Sequence, residues 1–166
     1  TDSITKAKEI ASGKASVTAG LINGAAWDRT LNWILETNNN MSLADITEDS
    51  TSWGNYLNSK FNFTGKYSIN YGDFTEATVS TPKLENSYYL LGTGVTDYTK
   101  KNNIYDLAGN CCEWTTEFVE SINPVVRGGT FSENGFSEFA SSRTARGSQE
   151  DSVYDISFRP SLYVNL

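Results

Sequence analysis

Apolar residues recur at helical spacing in two places near the start of the chain. Ile4, Ala7 and Ile10 fall three apart, so Ser3–Ser12 is read as a short amphipathic helix, with Ser3 as a candidate cap and Gly13 as its stop. Trp27, Leu31, Ile34 and Leu35 make one apolar stripe along Asn23–Glu36, a stronger helix with Asn23 placed to cap it. Beyond Thr37 that spacing stops. Residues 38–101 read as irregular: three consecutive asparagines, then short aromatic runs such as KFNFTGKYSINYGDF, punctuated by Gly, Asn, Asp and Ser. So long a stretch is expected to be packed by its own aromatics or kept for function. Strand signals return at the end. Val125–Phe131 carries β-branched residues around Gly128–Gly129, and Ile156, Phe158, Leu162 and Val164 alternate with polar or small residues. Pro160 confines that last strand to an edge or a bulge.

Composition narrows the function classes. A chain of 166 residues is long enough for one domain with a real core, and 38% hydrophobic residues with only three prolines argue against disorder. Net charge is −7 with a pI near 4.6 and no basic run, which disfavours phosphate backbones and anionic lipid as partners. No apolar run approaches the ~20 residues of a membrane-crossing helix, so no membrane insertion is expected. The chain opens on Thr1 with neither an initiator Met nor a secretory signal, as expected of one that is processed, excised from a longer chain or prepared in trimmed form. Histidine is absent, which removes the commonest general base, the Ser-His triads and every His-ligated metal site. The two cysteines, Cys111 and Cys112, are neighbours. A bond between them would be strained, because adjacent Cα atoms sit ~3.8 Å apart and ordinary disulfides want roughly 4.4–6.8 Å. Two reduced thiols are expected.

Three blocks near the C-terminus stand out: NIYDLAGNCCEW (Asn103–Trp114), VVRGGTF (Val125–Phe131) and ISFRP (Ile156–Pro160). With LINGAAWDRTLNWI, SWGN (Ser52–Asn55) and SRTAR (Ser142–Arg146), they resemble, in order, the signature of the formylglycine-generating-enzyme-like (sulfatase-modifying factor) branch of the C-type lectin fold. The resemblance runs from about Val17 to Val164. It implies an α+β, loop-rich domain over 17–166 with two helices packed on small antiparallel sheets, preceded by a helical lead-in over 1–16. Three departures stand out: Cys112 replaces a tryptophan, Ser157 replaces the glycine of a GFR motif, and Thr1–Ser16 is too short to supply the family's N-terminal half.

The resemblance also bears on chemistry. Sulfatase-activating relatives oxidise a substrate cysteine with copper held by a cysteine pair between the RGG and GFR blocks. Here Arg127–Arg159 contains no cysteine, and copper(I) needs soft thiolates, so neither copper nor a catalytic residue is expected. In the family, the loop at Asp106, Gly109, Cys111 and Glu113 resembles a calcium site, with carboxylates from Asp106 and Glu113 and carbonyls at Gly109 and Cys111. The alternative is that Asp106 and Glu113 satisfy backbone N–H groups or pair with Arg127. Arg127 and Arg159 are read as structural, in buried bidentate contacts, with anion recognition as the other reading. Gly128 and Gly129 are expected to allow close approach or positive φ. Asp45, Glu48, Asp49 and Asp97 are read as solvated surface charges.

Between the last two blocks lie Ser132, Glu133, Asn134, Phe136, Glu138 and Phe139, then Gln149, Glu150, Asp151, Ser152, Tyr154 and Asp155. Aromatic anchors among small polar residues make a recognition surface, the alternative being an ordinary loop with Phe136 and Phe139 turned inward. The arrangement resembles the variable proteins of diversity-generating retroelements, which carry ligand contacts in this segment as phage receptor-binding or bacterial surface proteins. The expectation is a non-enzymatic module that binds a protein or glycan on a cell surface, located on a virion tail or a bacterial surface. The alternatives are a structural subunit of a phage tail or surface appendage, and a cofactor-dependent oxidase of the same superfamily.

Overall fold

The computed structural model describes residues 3–69, 73–75, 77–147 and 153–164. It is an α+β chain with three helices and small, mostly antiparallel sheets. Helix α1 spans Ser3–Glu9 and leads into strand β1, Val17–Leu21. Ser3 does not cap α1: it is the first helical residue, and its Oγ is buried without a hydrogen-bond partner. Gly13 ends the turn that follows, at positive φ. Helix α2, Gly24–Thr37, begins where the apolar stripe places it, with the Asn23 side chain accepting from the Ala26 amide at 2.8 Å. Trp27, Leu31 and Ile34 are buried, and Leu35 packs beside them.

The stretch read as irregular contains more order than its punctuation suggests. A third, four-residue helix α3 lies at Ala44–Thr47. Asp45 is not a free surface charge there: its carboxylate accepts from the Ser42 amide and hydroxyl, which holds it below the ordinary Asp range. Strands β2 (Phe61–Gly65), β3 (Tyr67–Ile69), β4 (Val79–Lys83) and β5 (Tyr89–Leu91) follow, β2 pairing with β4 and β3 with β5. Phe61, Phe63 and Leu91 are buried against Tyr67, Tyr89, Val95 and Tyr98, so the segment is indeed packed by its own aromatics. Lys83 is fully buried on β4 and donates to the carbonyls of Tyr56 at 2.6 Å and Ser59 at 3.1 Å. Burial pulls its pKa down to about 8.

After a 3-10 turn at Asp97–Thr99 come two-residue strands β6 (Lys100–Lys101) and β7 (Ile104–Tyr105), then β8 (Cys112–Val119), β9 (Asn123–Arg127), β10 (Arg143–Ala145), β11 (Ile156–Phe158) and β12 (Pro160–Val164). The largest sheet has the order β10-β9-β8-β11, and β11 runs parallel to β8 with Ser157 opposite Glu113. The run expected as one strand is split at Arg159: β12 opens on Pro160, a position where a strand tolerates proline, and pairs with β1 in a two-stranded sheet. Ala7 of α1, Leu21 of β1, Cys112, Trp114 and Val126 share one core cluster, with Ile4 packed against it, so α1 lies against the sheet residues of the core.

A polar spine joins the blocks. The Asn55 amide donates to the Ala108 carbonyl, and the Asn110 amide donates to the Asn55 carbonyl at 2.8 Å. The Asn110 side chain then imitates a strand residue, accepting from the Leu91 amide and donating to the Leu91 carbonyl. Gly109 has to be glycine: φ is +68°, and a Cβ there would collide with the Asn55 backbone. Gly129, also at positive φ, meets the Glu138 carbonyl in the same way, which confirms close approach at the paired glycines.

Candidate functional site

Alternation along β8 and β11 sends their side chains to two different cavities. Cys111 and Glu113, with Ser157 and Arg159, line one of about 270 Å³. Trp114 and Ile156, with Arg146, Gly147 and Val153–Asp155, line another of about 200 Å³. The motif blocks of the sequence therefore form the partition between two sites.

The first cavity contains three of the four residues that the resemblance connects with calcium. Asp106, Cys111 and Glu113 line it, whereas Gly109 is pinned between Asn55 and Gly128, its amide donating to the Gly128 carbonyl at 2.7 Å. Glu113 is engaged by Arg159 rather than Arg127: Nε reaches Oε2 at 2.9 Å and Nη2 reaches Oε1 at 2.7 Å, while Nη2 also donates to the Tyr105 carbonyl. Burial raises the Glu113 carboxyl above the ordinary Glu value, and the guanidinium opposes that shift. Arg127, itself buried, pairs instead with Asp28 on α2 and lies 3.7 Å from Glu117 on β8. With both oxygens of Glu113 taken and a guanidinium at the cavity floor, these residues do not fit the six to eight oxygen donors that calcium requires. Among the described residues no group of three His, Cys, Asp or Glu side chains is arranged to hold a metal.

The second cavity lies under the segment read as a recognition surface. Glu138 is 3.9 Å from Arg146, and burial, aided by the charges of Glu133 and Asp155, raises its carboxyl above the ordinary value while Arg146 opposes that. The charges of Glu133 and Asp155 thus reach Glu138 from distant parts of the segment. Phe136 and Tyr154 are 57% and 56% exposed, whereas Phe139 is half-buried, so only the latter turns partly inward. Ser132 and Asn134 are half-buried; the Ser132 hydroxyl lies 2.8 Å from that of Thr130. Gln149, Glu150, Asp151 and Ser152 lie outside the described residues. Trp114 and Arg146, which the sequence reading assigned to the motif blocks rather than to a site, supply the pocket floor and its cation. A tryptophan two residues after a buried cysteine in a strand was the available signal, because period two puts both on one face.

The surface loop is fastened from behind. The Ser50 amide donates to the Gly135 carbonyl, the Leu57 amide to the Glu133 carbonyl, and the Gly135 amide to Asn58 Oδ1. The Ala140 amide donates to Ser50 Oγ, and Trp27 Nε1 donates to the Ala140 carbonyl. Phe131, Gly135 and Ala140 are buried while Glu133 and Phe136 between them face outward. Neither thiol is poised for chemistry: both cysteines are free, and burial pushes Cys111 up to about 12 and Cys112 further up.

No protein-family model matches the chain, and no curated protein or solved structure does either.

Proposed function

We propose that the chain is a non-enzymatic recognition module on a C-type lectin-like scaffold of the formylglycine-generating-enzyme-like kind, presenting Ser132–Asp155 to a protein or glycan on a cell surface. The observation that carries this reading is Phe136. A large apolar ring more than half exposed on a loop whose backbone makes five hydrogen bonds, two with Ser50 and one each with Trp27, Leu57 and Asn58, is not a floppy side chain at a loop tip. Ordering entropy is already lost in the fold, so contact with a partner carries less penalty. Tyr154 beside the Trp114 pocket supplies a second aromatic anchor, and Glu138, Arg146 and Asp155 supply orientation-dependent polar contacts. A place on a virion tail or bacterial surface belongs to the same proposal, as does diversification of the segment by a retroelement.

The test is a triple variant, Phe136→Ala with Glu138→Ala and Tyr154→Ala, compared with the native chain on a glycan array and on intact bacterial cells. Binding by the native chain should be lost in a variant whose circular dichroism and Tm are retained. Equal binding by the folded variant would remove the site from this surface.

A further inference from the structure

The cavity on the other side of the β8–β11 partition has a chemistry of its own. Its floor is Asp106, Asn110 and Glu113, all buried, and its mouth is open at Thr93 and at Phe74, whose ring is well exposed. Three charges line the cavity, Asp106, Glu113 and Arg159, and two of them cancel, because Arg159 and Glu113 form a bidentate pair. The third does not. Asp106 is only 6% exposed; Oδ1 accepts from the Thr99 hydroxyl at 2.7 Å, and Oδ2 is buried with no hydrogen-bond partner. Burial raises the pKa of the carboxyl, with the Thr99 hydroxyl, the Arg159 charge and the Gly94 amide opposing. A buried carboxylate oxygen without a donor is costly, so such a group normally has an ion, a water or a ligand to meet.

What would meet it follows from the walls. A divalent cation lacks donors here, as argued above. An anion would face Asp106, while the one nearby guanidinium is already neutralised. A monovalent ammonium fits: one anionic oxygen, the Ser157 hydroxyl on the opposing strand, and an aromatic ring at the rim for the adjacent charge or its methylenes. Leu90 and Leu91 provide apolar wall for an alkyl chain. We propose that this cavity is a binding site for an alkylammonium group, seated with its charge at Asp106 and its methylenes against Phe74 and Leu90. The group would be either a free aliphatic amine or the end of a lysine side chain on another protein. The site is separate from the recognition surface and does not depend on it.

The experiment is a ¹H–¹⁵N titration of the whole chain with n-butylammonium chloride against matched potassium chloride. Saturable shifts at Asn110–Glu113 and Ser157 are expected, with Asp106→Asn weakening binding at least about tenfold, the loss of one charge-assisted hydrogen bond. A second variant, Ser157→Lys, places a tethered ammonium at the cavity and should both abolish the shifts and raise the Tm. A lysine tripeptide amide that binds more tightly than butylammonium assigns the site to a protein lysine, and equal binding assigns it to a free amine. Unchanged binding by folded Asp106→Asn, absence of saturable shifts in the native chain, or shifts produced by calcium chloride in place of butylammonium would each overturn the proposal.

Discussion

The two cavities share one pair of strands and differ in what holds their walls. On the face of Glu113, Ser157 and Arg159 the determining contacts are charged, few and geometrically exact: a two-point guanidinium–carboxylate pair and a buried Asp106. On the face of Cys112, Trp114 and Ile156 the wall is apolar, packed with Ala7, Leu21 and Val126, and charge enters through Arg146 and Asp155. The same period-two backbone thus builds one site that fails when a partner is removed and another that fails when volume is removed. That contrast can be tested from both sides.

The largest expected effect is on the apolar face. Trp114→Ala should destabilise the chain by about 3–5 kcal/mol in urea unfolding, because the indole is buried in the core as well as forming the pocket floor. A loss near zero would mean that Trp114 belongs to the pocket alone. Next is Arg159→Ala, expected to cost about 3 kcal/mol by leaving the Glu113 carboxylate buried and unpaired. Its signature is recovery in the double variant Arg159→Met with Glu113→Leu, which a packing defect would not show. A smaller effect separates the faces by pH. Asp106 has a folded pKa raised by burial, with Thr99 and Arg159 opposing, so the folded chain holds that proton more tightly than the unfolded one. Stability of the native chain relative to Asp106→Asn should therefore rise as pH falls from neutral through the raised pKa, and level off once the carboxyl is protonated in both states. Thermal melts at a series of pH values check this; a flat difference would mean that burial does not perturb Asp106. Smallest of all, Phe136→Ala should change stability by no more than about 0.5 kcal/mol, since the ring is exposed and the loop is held by its backbone.

How much of this could be read from the residues alone varies by segment. Helix α2 was legible because four apolar positions repeat at helical spacing behind an asparagine cap, and both features are local. Strand β2 was not. Phe61, Asn62, Phe63, Thr64 and Gly65 do alternate, and burial follows them, but Asn and Gly read as punctuation when no partner strand is in view. Asn110 imitating a strand residue for Leu91 leaves no local trace at all. Among the site residues, the segment carrying Phe136 and Tyr154 was visible as aromatics mixed with small polar groups. Which arginine serves which carboxylate was not: Glu113 meets Arg159, 46 positions away, whereas Arg127 turns to Asp28, 99 positions away.

Local order in this protein was therefore written in the sequence wherever a period, a cap or a paired glycine expresses it: α2, the glycines at 128 and 129 and the alternation of the last strands. Partnership was decided only in three dimensions. Burial removes water as the default partner of every charge, so each carboxylate must take whichever cation the packed backbone brings within reach, and a linear chain does not contain that distance. The division of β8 and β11 into an acidic face and an apolar face belongs to both. Alternation sets which residues share a face, and the tertiary structure decides that one face meets Asp106 and the other meets the core.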